Sequence, residues 1–381
     1  MMPKMLLDCI LNICLGNFNN GLSIELFMYK LKQIPSDFIV DEIADFEVES
    51  LNQKSGKYIY LKLNKENWNT ISVVREMAKL LGIDAKDINF AGTKDKNAIT
   101  SQFVSIKTSG RNLLDKLPLN LPKGISLRFV GFADSPLSLG KLLGNKFGIT
   151  VRGLDANESF IDRKFFVNYF DEQRFSTSNV AIGRAIIKKD FKKAAELIND
   201  FKVQGQLKDS PNQPLKALLK LPRKLLMLYI HAYQSYLWNE TVSEYLSIKY
   251  GENLPIINYS QGKLIICSDS QLTDLVDFQI PLVGALPLSN TLNSEIKKIV
   301  ETLMYKENID RYDFVIRQLP NMTPEGGMRD VVAKIQNLSV GEKEVDELNK
   351  ELMKMTVSFE LGRGSYATML VKFLLDNKNV D

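Results

Sequence analysis

A chain of 381 residues, 45% hydrophobic and 25% charged, can bury a full core and has room for two or three domains of ~100–200 residues. Its three cysteines, Cys9, Cys14 and Cys267, form no CxxC pair, and its single histidine, His231, argues against a histidine-built metal site or a Ser-His-Asp hydrolase; carboxylate-only metal sites stay open. The net charge of +4 decides nothing about nucleic acid, but residues 141–224 hold seventeen basic and nine acidic residues, an excess that suits an RNA backbone and equally a solvated helical surface.

In chain order, Met5–Leu15 is apolar but contains Asp8 and falls short of the ~20 residues a membrane span needs. It lacks a small-residue cleavage site, so it reads as a buried or frayed N-terminal element of a cytoplasmic protein. Residues 57–63 (KYIYLKL) alternate as a half-buried strand does. Asn69 or Thr70 then caps a helix whose apolar positions Val73, Val74, Met77, Leu80 and Leu81 recur at helical spacing, and Gly82 ends it. The segment AGTKDKNAITSQ reads as a loop, and residues 102–107 and 147–153 as strands. After Ser176 the character changes. Residues 179–199 read as one helix and 223–249 as a long one begun by Pro222. Residues 205–215 and 317–328 are loop-rich, and strand character returns at 356–361. Strands and helices, a different block, then strands again is the pattern of an inserted domain.

The loop from Ala91 to Thr100 sets Asp95 between Lys94 and Lys96. Neighbouring cations favour an ionised carboxylate and attract phosphates. Gly92 permits close backbone approach, and Ala98 and Thr100 leave room for a planar group. A charged surface turn is the competing reading of these residues alone. Neither a GxxxxGK[ST] phosphate loop nor a GxGxxG dinucleotide fingerprint is present here.

GTKDKNAITSQ closely resembles the GxKDxxAxTxQ signature of the TruD family of tRNA pseudouridine synthases. Further segments resemble family motifs in family order: KQIPSDFIVDE from Lys32, Lys65 to Thr70, LGKLLGNKFGITVR from Leu139, NYFDEQRF from Asn168, QSYLWN from Gln234 and VSFELGRGSYAT from Val357. Together they run from about residue 30 to 372. Asp171 and Ser176 stand where the family has glycine, and Gly362 where it has proline.

The resemblance implies an α+β fold: a mixed, largely antiparallel sheet flanked by helices, with an inserted α/β domain. It divides the chain into an N-terminal extension without an assigned role (1–26), a catalytic domain in two parts (27–175 and 327–381) and an insertion (176–326), with a basic cleft between insertion and catalytic domain. The implied reaction breaks the N-glycosidic bond of a uridine, turns the base and rejoins it through carbon. It needs no metal and no cofactor. Asp95 matches the catalytic aspartate, as nucleophile or as base. Phe147 matches an aromatic that stacks on the flipped base, with a strand core residue as the alternative. Asn145 matches a residue near the base edge, or is a turn residue. Lys32 matches a lysine beside the aspartate. Lys94 and Tyr366 join the substrate-binding set, Tyr366 with Ser365 at the pocket wall, with ordinary packing as the alternative reading of Tyr366. Arg174 and Gln173 serve structure or RNA contact, Trp238 the core, and His231 shares its helix. The implied partner is tRNA, modified at position 13 by a monomeric enzyme. Other RNAs as substrates, or a non-catalytic RNA-binding protein or tRNA chaperone, are the alternatives; the intact GTKD motif argues against the last.

Overall fold

Alternation of side chains along a strand sends Ile59, Leu61, Leu63 and Lys65 to one face, and all four are buried. That strand is the second of fourteen in the computed structural model, which describes residues 29–52, 54–108, 113–117, 120–138 and 141–375. Residues 1–26 with Cys9 and Cys14, and Leu139 and Gly140 of the LGKLLGNKFG motif, lie outside the described residues.

The main sheet has ten strands. They are β1 (Phe38–Ala44), β2 (Tyr58–Glu66), β3 (Ile88–Phe90), β4 (Ile99–Lys107), β5 (Ile125–Ala133), β6 (Leu142–Leu154), β7 (Phe165–Val167), β12 (Val332–Val340), β13 (Glu344–Val345) and β14 (Met353–Gly362). The order is β5-β2-β4-β1-β6-β14-β12-β7, with β3 beside β4 and β13 beside β14. Only β1 and β4 pair in parallel; the other neighbours are antiparallel. The sheet is thus mixed and mostly antiparallel, and the fold is α+β as expected.

The helix Thr70–Leu81 packs on β2 and β4 through Val73, Val74, Met77 and Leu81. Asn69 caps it by accepting from the Ile71 amide, and Gly82, at φ 67, ends it in the left-handed conformation glycine favours. Strand β4 begins at Ile99, three residues before the strand expected from sequence, because its first residues pair with β1.

The helices Asn179–Ile187 and Ser294–Lys306, the β8–β9 hairpin (Ile256–Tyr259, Gly262–Ile265) and β10 (Gln279–Leu282), which pairs with β11 (Gly327–Asp330), pack on the long helix Arg223–Tyr250. The expected single helix over 179–199 is two, Asn179–Ile187 and Phe191–Glu196. Lys189 at φ 59 turns the chain, and the Asp190 side chain caps the second helix by accepting from the Lys193 amide. The loop-rich reading of 205–215 is corrected in its first half: the helix Phe201–Asp209, capped by Asp200, runs through Gly205. No helix among the described residues is long and apolar enough to cross a membrane.

Arg152 ties the parts of the sheet together. It donates to Asp37 (2.8 Å) just before β1, to Asp346 (2.9 Å) and to Glu347 (3.0 Å) between β13 and β14.

Candidate active site

Asp95 lies on the loop between β3 and β4, and three buried side chains grip the backbone of that loop. Gln102 donates to the Gly92 carbonyl (3.0 Å), Thr70 accepts from the Lys94 amide (3.1 Å), and Lys65 donates to the Asp95 carbonyl (2.6 Å). Thr70 also donates to Gln102 (2.9 Å), which links two of the three. Lys65 is only 1% exposed, and burial pulls its pKa down to about 8. A cation is rarely put there without a task. Fixing the main chain from below leaves the Asp95 carboxylate free to meet a substrate; its side chain is 42% exposed.

Lys32 reaches that carboxylate at 2.7 Å and also sits 4.0 Å from the centre of the Phe38 ring. Its backbone is held at φ 57, a region that non-glycine residues seldom adopt. Lys94 turns the other way, into the protein. It donates to the Asn145 side-chain carbonyl (2.5 Å) and faces Glu42 at 3.5 Å. Burial lowers the Lys94 pKa and raises that of Glu42, each partly offset by the other.

Sheet register places the remaining candidates. Glu42, Asn145 and Leu361 are direct neighbours across β1, β6 and β14, as are Val40, Phe147 and Phe359 one step along. Directly opposed residues share a face, so Asn145 and Phe147 stand on the same side of the sheet as Phe38 and Glu42. The Phe147 ring is 7% exposed. It meets Phe38 edge-on (centroids 6.1 Å apart) and lies tilted on Phe359 (5.5 Å). This is core packing at the rim of the Asp95 site. The chain Asp95–Lys32–Phe38–Phe147 connects the carboxylate to it.

Strand β14 then delivers the GSYAT segment beside Asn145: Gly362 pairs with Gly144, and the Arg363 amide donates to the Leu143 carbonyl (3.0 Å). Tyr366 is half-buried, its ring edge-on to Phe170 at 6.0 Å. Arg329 braces this corner. Its guanidinium lies 4.1 Å from the Phe170 ring centre and donates to both the carbonyl and the side chain of Asn168 (2.7 and 2.8 Å) and to Gly364 (3.1 Å).

The departures from the family pattern have physical readings here. Asp171 accepts from Thr368 and ion-pairs with Lys372 (2.7 Å), fastening the C-terminal helix Ala367–Leu375. Ser176 keeps a glycine-like φ of 48. Beyond Phe170, a cleft of about 220 Å³ is lined by Arg174, His231, Gln234 and the turn at Pro324–Gly326. Arg174 donates through Nε to Ser235 (3.2 Å) and its guanidinium lies 5.8 Å from the Phe170 ring centre, and burial together with Arg174 lowers the His231 pKa. Trp238 is core, as expected, and donates to the Ile280 carbonyl (3.1 Å).

Asp95, Lys32, Lys94, Asn145 and Phe147 are therefore brought together, with Tyr366 on the adjoining segment. Lys65, Thr70, Gln102, Glu42 and Phe38 also border the Asp95 site, although sequence reasoning gave them no part in it and offered Thr70 only as a helix cap. Strand alternation was a usable signal, since it puts Lys65, Glu42 and Gln102 on buried faces. Breaking the grip on the loop is expected to be measurable: Thr70→Val strands the Lys94 amide and the Gln102 side chain, at ~1–3 kcal/mol. Urea unfolding should show that loss, and kcat should fall with it. Wild-type stability and kcat would show that the loop needs no such support.

The mixed, mostly antiparallel sheet carries an open loop carboxylate paired with a lysine, and comparison with known proteins gives the class, that of the pseudouridine synthases. The family model described as tRNA pseudouridine synthase D (TruD) matches residues 23–206 and 199–373, and the chain belongs to that family. Similar proteins include a probable tRNA pseudouridine synthase D 2 of Methanocaldococcus jannaschii (32% identical, 90% of each chain). Another is a probable tRNA pseudouridine synthase D of Thermococcus sibiricus (30% identical, 91% of this chain and 94% of that one). The crystal structure of a protein of Methanosarcina mazei described as a putative tRNA pseudouridine synthase D (TruD) has the same fold, at a TM-score of 0.62 and 24% identity over 91% of this chain and 93% of that one.

Proposed function

We propose that this TruD-family isomerase converts uridine 13 of tRNA to pseudouridine, with Asp95 as its catalytic group. The observation that carries the reading is one open carboxylate, paired with Lys32 and held through its own backbone by Lys65. Asp95 either attacks C1′ of the ribose or takes the proton from C2′; both routes release the base from C1′. The uracil turns and C5 bonds to C1′ as Asp95 leaves C1′ or returns the proton to C2′; C5 then loses its proton and N1, freed from C1′, takes one up. No atom is gained or lost and no electron is transferred between substrate and protein.

In this reading the target uridine leaves its stack and enters between the Asp95 loop and the GSYAT segment. Tyr366 and Asn145 meet the base, Lys94 orients Asn145, and Phe147 with Phe38 forms the pocket floor. The 176–326 insertion and the two catalytic parts, 27–175 and 327–381, flank a basic cleft for the RNA. The enzyme works as a cytoplasmic monomer without cofactor.

Two tRNA transcripts test the target, one with uridine and one with cytidine at position 13. The first should yield pseudouridine and the second none; product from the second would move the target elsewhere. Activity should also survive EDTA and need no added nucleotide. Loss in EDTA that a divalent ion restores, with tRNA folding held constant, would contradict cofactor independence.

A further inference from the structure

We infer that a cavity at Tyr312, remote from Asp95 in the chain, is a second RNA contact that holds an unpaired base of the substrate. The inference rests on the tRNA reading above and deepens it.

Tyr312 is 65% exposed and, with Lys189, Val315, Arg317 and Gln318, lines a cavity of about 310 Å³. The segment is rigid for a surface loop. Asp310 accepts from the amides of Tyr312 and Asp313, and Lys189 binds both the side chain and the carbonyl of Asp313 at 2.8 Å. Lys189 is thus committed to holding the wall in place. The Arg311 guanidinium stands 4.6 Å from the Tyr312 ring centre. An exposed, pre-positioned aromatic ring among cations is what base stacking uses, and it needs no particular base. Gln318 is exposed and can both donate to and accept from a base edge, while exposed Arg317 and Lys188 suit phosphate.

Position supports this occupant. Arg223, which opens the long helix, donates to the Asn321 carbonyl in the turn three residues beyond Gln318. Arg223 also lines a second cavity, of about 450 Å³, with Arg174 and His231. Those two residues in turn line the cleft next to Phe170, against which Tyr366 packs. On the other side, Asn179 donates to the Arg174 carbonyl (3.3 Å) and opens the helix Asn179–Ile187. That helix covers ~13 Å at 1.5 Å per residue and ends at Lys188. Cation-bearing residues therefore link the Tyr366 corner to the Tyr312 cavity through Phe170, Arg174, Arg223 and Asn321, and a strand entering at the target base would follow them.

The test is steady-state kinetics on full-length tRNA at fixed salt, with Tyr312→Ala, Tyr312→Phe and Arg317→Ala beside wild type. Tyr312→Ala should raise KM about fivefold or more. Arg317→Ala should raise it too, with kcat and thermal stability unchanged in both, because these side chains are exposed and make none of the contacts that build the Asp95 site. Tyr312→Phe should behave as wild type because the ring is kept. An unchanged KM in Tyr312→Ala overturns the inference, as does a Tyr312→Phe variant as impaired as Tyr312→Ala, or a loss confined to kcat or stability. A wild-type protein that converts no tRNA overturns the proposed function, and the inference with it.

Discussion

Asp95→Asn is expected to lower the single-turnover rate of pseudouridine formation by at least ~10³-fold, while the melting temperature and tRNA affinity stay close to wild type. Asparagine keeps the size of the side chain and removes the group that acts as nucleophile or base. The fold should tolerate the change because Lys65, Thr70 and Gln102 hold the loop through hydrogen bonds to its main-chain atoms, which asparagine leaves in place. The pair lost with Lys32 is partly exposed and worth at most ~1 kcal/mol, and Lys32 retains the Phe38 ring. Affinity should persist because phosphate contacts supply most of it. Release of tritium from C5-labelled tRNA, read beside a binding titration, checks both halves. Substantial product from the folded variant would remove Asp95 from the catalytic role.

Phe147→Ala is expected to cost ~3–5 kcal/mol of stability, as truncating a buried phenylalanine does, since the ring packs between Phe38 and Phe359. Phe147→Leu separates packing from base contact. Leucine preserves most of the volume, at a cost below ~1.5 kcal/mol, but offers no aromatic ring. If Phe147 supports the flipped uracil, Phe147→Leu should unfold near the wild-type urea midpoint and still turn over ~10-fold or more slowly, the size of a lost base–aromatic contact or of slight misplacement at the reacting sugar. A normal single-turnover rate in folded Phe147→Leu would make the residue a core residue only.

Much of this architecture was legible in the chain because local rules and tertiary packing agree. The helix Thr70–Leu81 has its Asn69 cap, its apolar spacing and its Gly82 stop where the sequence places them. The return of the strand near residue 356 likewise follows from alternation, although β14 extends to Met353 and Gly362 through pairing with β6. The expected helix over 179–199 joined two because both halves are apolar at helical spacing. The break depends on Lys189 adopting φ 59 and on Asp190 capping, and neither has a strong sequence signal. At the site, the GTKD motif pointed to Asp95, but the motif alone does not say what holds the loop. That support comes from side chains on β2, β4 and the helix after β2, which meet only when the sheet assembles. Lys65 was the missed opportunity: it continues the buried face of Ile59, Leu61 and Leu63, and a lysine in that register needs a partner. Arg329 carried no such sign. Its role depends on Phe170, Asn168 and Gly364 converging from distant parts of the chain.

The most direct test of the central claim is to incubate the purified protein with a tRNA transcript tritiated at uridine C5, without metal-dependent or nucleotide cofactors, and to count the tritium released to water. Isomerisation through Asp95 predicts release stoichiometric with tRNA for wild type and background for Asp95→Asn at equal tRNA occupancy. Background release by wild-type protein that has demonstrably bound the tRNA would contradict the account.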